Sequence, residues 1–466
     1  MPTRVPGRWQ LRDAELSPSR IYWSNSGEPS AAARFNVKRD AGSIMTPSSH
    51  SASAALKPPA PEGITPPLPV LRVPLLNRER ELFGYEILFH RESGDEPMLL
   101  QSVLGMITDG ALTRLVRSNR AFLNLPAELL PEDADVLLHQ PRLGVVLQPH
   151  VAEDAALMKR LQSMAQRGCQ FMLDVGVQDL EQGRPFETLL HMVQLVRLDA
   201  ARLAPELLTQ RAAYLHARGL HVVAGKVNDH STYERCLTLP IEAVQGRHLL
   251  VPQPVAVPVL TANRLSMLRL MSVLHESNPG PVELGNIIRD DAVLSYKLLS
   301  CVNSAYFALP RQLKSVQQAA IFFGVTRMRN WVDTMAMCSM DDRPPELLRA
   351  ALIRAHMCED LAKGMPQEQV EMAFTVGLFS LLDTLMCAPL DFLLPQLRLA
   401  PEICDSLTGR NGPFTPILQQ VLAWEANELA SAQVPPQRIQ RLAASYLNAT
   451  QWADQVYAST SGKSTQ

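Results

Sequence analysis

Along residues 68–250, short runs of apolar and β-branched residues alternate with stretches in which apolar residues return every three or four positions. The first pattern is that of a strand and the second that of an amphipathic helix. The runs predict eight strands: Leu68–Leu75, Phe83–Phe89, Arg120–Leu125, Leu143–Gln148, Gln170–Val175, Leu195–Asp199, His221–Lys226 and Ala243–Leu249. Between most of them, Met98–Val116, Val151–Gln166, Pro185–Val193, Pro205–Arg218 and Ser231–Leu239 read as helices of the length a parallel crossover needs. Alternation of this kind predicts a TIM-type (β/α)8 barrel, whose chemistry gathers at the C-terminal ends of the strands.

Beyond a proline-rich joint at Val251–Pro258 the strand pattern ends and a period of about 3.6 takes over. Leu294, Leu298, Cys301 and Val302 share one helix face, and Val316, Ala319, Ala320 and Phe323 share another behind a capping box of Ser315 and Gln318. Gly324 closes that helix, and Thr326 is placed to cap the next, which runs through Trp331 toward Met340. The fold class expected is therefore α/β plus all-α, a barrel at 68–254 followed by a helical bundle at 255–450. Residues 1–67 mix Pro, Ser, Ala and scattered Arg and are expected to form a disordered tail, in which Trp9, Tyr22, Trp23 and Phe35 are isolated aromatics. Residues 451–466 are expected to form a second tail.

Composition narrows the chemistry. With 46% hydrophobic and 19% charged residues in 466, the chain can build large cores, and its net charge of −2 offers no broad basic surface for tracking phosphates. Nucleic acid is not an expected partner. The longest apolar stretch, Met372–Leu382, is about half of what a membrane span requires. Seven scattered cysteines without a C-x-x-C pair suit a reducing cytoplasm better than a zinc site or a disulfide framework.

Polar residues recur at the strand ends: Glu86, Asn124, Gln148, Asp174, Arg197 with Asp199, Gly225 with Lys226, and Gln245 with Gly246. Around them, Gly84-Tyr85-Glu86-Ile87-Leu88-Phe89-His90 resembles the G-x-E-A-L-L-R signature of EAL domains, the cyclic di-GMP phosphodiesterases. Leu123-Asn124-Leu125, Leu173-Asp174, Val196-Arg197-Leu198-Asp199 and Val244-Gln245-Gly246 resemble, in order, N-L-S, the start of L-D-D-F-G, L-K-I-D and the closing Q-G. In the second half, Ile287-Ile288-Arg289-Asp290-Asp291, Lys297-Leu298-Leu299, Val302-Asn303-Ser304-Ala305-Tyr306 and Ala319-Ala320-Ile321-Phe322-Phe323-Gly324-Val325 resemble HDOD domains.

The EAL resemblance implies a site with two divalent metals held by carboxylates. Glu86, Asn124 and Asp174 match ligand positions of that pattern, but several other positions depart from it. Gln148 replaces a glutamate, Val175 the second aspartate of D-D, Arg197 the catalytic lysine and His90 the arginine that faces a ligand phosphate. Ala224-Gly225-Lys226-Val227-Asn228 stands where A-E-G-V-E is expected, so both glutamates are gone. HDOD domains are related to HD phosphohydrolases, whose metal sites need adjacent His and Asp plus further histidines, yet Gly377-Leu378-Phe379-Ser380-Leu381-Leu382-Asp383 contains no His-Asp dipeptide, and His356 reads as a packed or surface residue.

The expectation is a signalling adaptor that catalyses nothing and uses no metal or cofactor, with Glu86, Asn124, Gln148, Asp174, Arg197, Asp199 and Gln245 lining a vestigial pocket. Its protein partners would dock at the barrel mouth and the helical bundle, where Met267, Met271, Phe307, Trp331, Met335 and Met337 are candidate contacts, while ordinary core packing is the competing account of them. The alternatives are a non-hydrolysing cyclic di-GMP receptor that grips a phosphate with Arg197, and a residual phosphodiesterase.

Overall fold

The structure, a computed structural model, describes residues 69–89, 96–130, 142–176, 184–252, 260–276, 279–289, 292–303, 309, 312–340, 343–429 and 435–460. The N-terminal segment, the Val251–Pro258 joint from residue 253 on, His90, Phe307 and the Asp290-Asp291 pair lie outside them.

Eight strands close into one barrel in sequence order. They are β1 Val70–Leu76, β2 Leu82–Phe89, β3 Ala121–Asn124, β4 Leu143–Leu147, β5 Gln170–Val175, β6 Leu195–Asp199, β7 His221–Gly225 and β8 Ala243–Gln245. From β2 to β8 every neighbour is parallel, whereas β1 runs antiparallel to both β2 and β8. The barrel thus departs from the all-parallel form in its first strand. Only five residues, 77–81, separate β1 from β2, too few for a crossover and enough for a hairpin. Asn77 holds that hairpin: its side-chain oxygen accepts from the Glu81 N–H at 2.8 Å while Arg80 adopts a left-handed φ of 62°.

The crossover helices are α1 Glu96–Thr108, α2 Ala111–Val116, α3 Ala155–Gln166, α4 Arg184–Leu190, α5 Pro205–Ala217 and α6 His230–Leu237. The single helix expected over Met98–Val116 is broken at Gly110, whose φ of 67° ends one helix before the next begins. Asp154 and Asp229 cap α3 and α6 through side-chain bonds to backbone N–H groups.

The second half is helical throughout the described residues: α7 Ala262–Glu276, α8 Pro281–Arg289, α9 Ala292–Val302, α10 Val316–Phe323, α11 Val325–Cys338, α12 Pro345–Leu361, α13 Gln367–Phe379, α14 Leu382–Met386, α15 Leu390–Leu397, α16 Pro401–Leu407, α17 Thr415–Ala426 and α18 Pro436–Thr460. Ser315 caps α10 by accepting from the Gln318 N–H at 3.1 Å, and Gln318 returns a bond to the Lys314 N–H at 2.9 Å. The next helix is not capped by Thr326. It starts one residue earlier, at Val325, directly after Gly324. Asn303, in the HDOD-like stretch, bridges the N–H and C=O of Leu313 at 2.7 and 2.8 Å and so pins the connection into α10.

Residues 451–460 are not a tail. They complete α18, where Trp452, Ala453 and Val456 are buried, because the apolar period of that helix continues to Thr460. Helices α12, α13 and α18 form the centre of the bundle. At Gly377 of α13 an added Cβ would lie 2.4 Å from the Arg354 carbonyl, so α12 and α13 approach as closely as they do only because that residue has no side chain. Met267, Met271, Trp331, Met335 and Met337 lie in this core, each 7% exposed or less. They are packing residues, not surface contacts.

Candidate functional site

Residues i and i+2 of a strand share a face. The barrel lumen is plugged by a separate apolar cluster that includes Phe122, Val146, Met172, Leu195, Val223 and Ala243. Two positions further along each strand stand Asn124, Gln148, Asp174, Arg197, Gly225 and Gln245. Strand alternation alone therefore lays a polar layer over a dry plug, on the side of the strands' C-terminal ends.

Arg197 is the hub of that layer. The register sets Asp174 of β5 opposite Arg197 of β6, and Arg197 Nε and Nη2 donate to the two Asp174 oxygens at 2.8 and 2.6 Å. Arg197 Nη1 reaches Glu86 Oε2 of β2 at 2.5 Å. Asn124 and Gln245 donate amide N–H groups to Glu86 Oε1 and Oε2 at 2.8 and 2.9 Å, and the Gln148 amide comes to 3.5 Å from Asp174. A planar guanidinium with its fixed fork of donors suits this double engagement. Burial alone would raise the Asp174 carboxyl, but the hydrogen bonds and charge of Arg197 outweigh it and hold that carboxyl below its ordinary range. Burial would likewise lower Arg197, and the charges of Glu86 and Asp174 overcome it, so the guanidinium stays ionised.

Asp199 stands apart from Arg197 and belongs to a neighbouring pair, accepting from Lys226 Nζ at 2.8 Å. Lys226 adopts φ 58°, a left-handed conformation costing a side-chain-bearing residue about 1 kcal/mol, at the position where the EAL pattern has glycine. Gly225 fills the preceding glutamate position. A Cβ built there would lie 2.8 and 2.9 Å from Arg197 Cδ and Cγ. The stem of Arg197 thus occupies the space a side chain at 225 would need.

Of the seven sequence-derived site residues, Glu86, Asn124, Gln148, Asp174, Arg197 and Gln245 are thus joined in one bonded group, and Asp199 pairs with Lys226 beside it. The donor set does not fit a pair of hard cations. Every carboxylate oxygen of Glu86 and Asp174 already faces an N–H donor, Arg197 lies between the two carboxylates, and Val175 has no ligating atom. Among the described residues, no three His, Cys, Asp or Glu side chains are grouped to hold a metal ion. In the helical half, His275 Nε2 meets the buried Asp333 at 2.8 Å between α7 and α11, a His–Asp contact invisible as a dipeptide. His356 packs against the Trp452 ring at 5.1 Å, and burial pushes its pKa down to about 4, leaving it neutral near pH 7.

A second charged cluster, unforeseen from the sequence, joins the two halves. Arg72 of β1 grips Asp454 of α18 with two bonds of 2.9 and 3.2 Å and donates to the Leu115 carbonyl at 2.6 Å. Arg349 of α12 reaches Asp454 at 3.0 Å and Glu346 at 2.6 Å, and the Tyr85 hydroxyl of β2 donates to Glu346 at 3.2 Å. The Arg72 guanidinium also lies over the Tyr85 ring, 4.8 Å from its centroid. Burial and the Glu346 charge push the Tyr85 hydroxyl well up, which keeps it a donor. The one signal the sequence held was a lone arginine inside the apolar run Val70-Leu71-Arg72-Val73.

Comparison with known proteins fits this division. The HDOD domain family model matches residues 262–432. The chain is 23% identical over 405 residues to YuxH of Bacillus subtilis, covering 82% of this chain and 97% of that protein. It is 26% identical over 364 residues to the cyclic di-GMP phosphodiesterase CdgJ of Vibrio cholerae, covering 75% and 83%. Among solved structures it is similar to the EAL-like domain protein YdiV (TM-score 0.31, 19% identity, 39% of this chain and 90% of that one). It is also similar to the FimX EAL domain of Pseudomonas aeruginosa bound to c-di-GMP (TM-score 0.32, 16% identity, 39% and 89%). The chain thus combines a closed eight-stranded barrel, whose EAL-patterned residues gather over the plug, with a helical half that matches the HDOD domain family.

Proposed function

We propose that this chain is a signalling adaptor of a cyclic di-GMP pathway that hydrolyses nothing and acts by binding other proteins. The observation that carries the reading is the Arg197 guanidinium set between Glu86 and Asp174. Two-metal hydrolysis of a phosphodiester needs anionic oxygens open to the cations, and a buried arginine bonded to both carboxylates competes for those lone pairs. Two divalent ions a few ångströms apart repel strongly unless carboxylates screen them, and here the residual carboxylates are neutralised from within.

The receptor alternative requires Arg197 to reach a ligand phosphate. Arg197 is 6% exposed and engaged with two carboxylates, which favours the adaptor reading. For partners, we assign the exposed apolar residues of three mutually packed helices, Val282 on α8, Tyr296 on α9, and Ile321 and Phe322 on α10. Four such side chains, each more than half exposed on helices that pack together, are the apolar patch from which a contact surface would be built.

The test has two arms. Purified protein incubated with cyclic di-GMP and Mg2+ or Mn2+ should give no linear product, and the full chain should retain a host protein that the Ile321→Glu, Phe322→Glu variant loses. Linear product that disappears in Glu86→Ala would overturn the reading.

A further inference from the structure

The helical half closes over the outer face of β1 and β2 without filling the joint. A cavity of about 100 Å3 remains there, walled by Leu71, Val73 and Pro74 on the barrel side and by Ile353, Met357 and Val421 on the helical side. The charged residues at its edge are engaged: Arg72 with Asp454, Arg349 with Glu346, and Arg354 with Glu425. Arg349 Nε makes no hydrogen bond but stands 3.0 Å from the Asp454 carboxylate, and one wall residue has neither a hydrogen bond nor an ion pair for its buried polar group. The indole N–H of Trp424, a residue 3% exposed, has no hydrogen-bond acceptor among the described residues. Buried donors are almost always satisfied, and one left over beside a void calls for an acceptor supplied from outside.

The geometry points to a binding site, in this joint between barrel and bundle, for a small uncharged molecule with an apolar body of about one six-membered ring and one hydrogen-bond acceptor for the Trp424 indole N–H. The size follows from the cavity: an apolar void of roughly 150 Å3 takes up benzene, and this one is somewhat smaller but opens to solvent at one side. The lack of charge follows from the walls, where each cation already has its carboxylate and a ligand charge would be desolvated without a partner. A molecule seated here touches both halves, so it binds only their docked arrangement and stabilises it by mass action. Domain interfaces are common places for such pockets. The site uses none of the ion-paired residues of the barrel mouth, so it stands or falls independently of the adaptor reading.

Cyclohexanone is a suitable probe, with cyclohexylammonium and cyclohexanecarboxylate as charged controls of similar shape. Ligand-detected NMR titration of the full chain should show saturable binding of cyclohexanone with a Kd on the order of 1 mM, as expected for so small a ligand. Trp424→Phe, which keeps the ring and removes the donor, should weaken it roughly three- to tenfold. Ala350→Leu, at a half-buried wall position, should abolish it while leaving the unfolding midpoint of the ligand-free protein within a few degrees of the parent's. Absence of saturable binding to the parent chain, binding unaffected by Ala350→Leu, or equal binding of either charged control would overturn the proposal.

Discussion

Two buried clusters of arginine and carboxylate stand in the described residues, one at the barrel mouth around Arg197 and one between the halves around Asp454. Adjacent residues of β2 serve the two clusters, Glu86 facing the lumen and Tyr85 facing the helices, as strand alternation requires. At the mouth the partners come from neighbouring or facing strands of one small barrel, and a half-buried Asp174 carboxylate keeps some contact with water. At the joint they come from residues 382 apart, and Arg72 and Asp454 are each 3% exposed. At the mouth one cation sits between two carboxylates of the barrel, whereas at the joint one carboxylate is shared by three arginines and links the two halves. Position relative to the strand ends, more than residue type, decides which role an ion pair takes.

The contrast can be broken most forcefully at the joint. Asp454→Ala leaves Arg72, Arg117 and Arg349 facing one another without their shared carboxylate. Loss of one partner from a buried pair should cost about 3–5 kcal/mol, read from denaturant unfolding of the full chain. At the mouth Arg197→Met should cost less, about 2–3 kcal/mol, since the half-buried Asp174 can rehydrate or take up a proton. Equal losses at the two places would erase the distinction drawn between them.

Acid sharpens it further. Because Arg197 depresses the Asp174 carboxyl in the folded state, that group contributes stability above the unfolded value of about 3.9 and loses it as pH falls through the lower folded value. The stability gap between the parent and Arg197→Met should therefore narrow as pH drops below about 4. A gap independent of pH would show that Arg197 acts by packing alone.

A smaller effect is expected at Gly225. Gly225→Ala drives a Cβ to within 2.9 Å of the Arg197 side chain and should destabilise by about 1–2 kcal/mol. In the Arg197→Ala background, which removes both of the contacted carbons, the penalty should fall by half or more, a coupling that a double-mutant cycle measures directly. Smallest of all, Tyr85→Phe removes one hydroxyl bond to Glu346 and should cost about 1 kcal/mol.

What the sequence made legible follows the same geometry. The strands of the barrel could be located to within a few residues, because inward positions obey a strict period of two, and β5 and β6 begin and end where expected. Asn124, Gln148, Asp174, Arg197 and Gln245 could be placed for the same reason, each two positions beyond an apolar plug residue, while Glu86 and Asp199 stood out inside motif-like stretches. The antiparallel direction of β1 was readable in principle from the five-residue hairpin behind it. The joint was not readable. Arg72, Glu346 and Asp454 belong to three elements whose proximity only tertiary packing creates, and Asp454 falls in a stretch whose helical period looked like the end of the fold. Lys226 was visible as a strand-end residue, but its reach to Asp199 depends on a left-handed backbone that no lysine announces.

The central claim is that the mouth of the barrel is neutralised from within by Arg197. Calorimetric titration of the parent chain with Mn2+ at neutral pH tests it most directly. No heat of saturable binding is the predicted result, and two ions bound per chain, lost together in Glu86→Ala, would contradict the account.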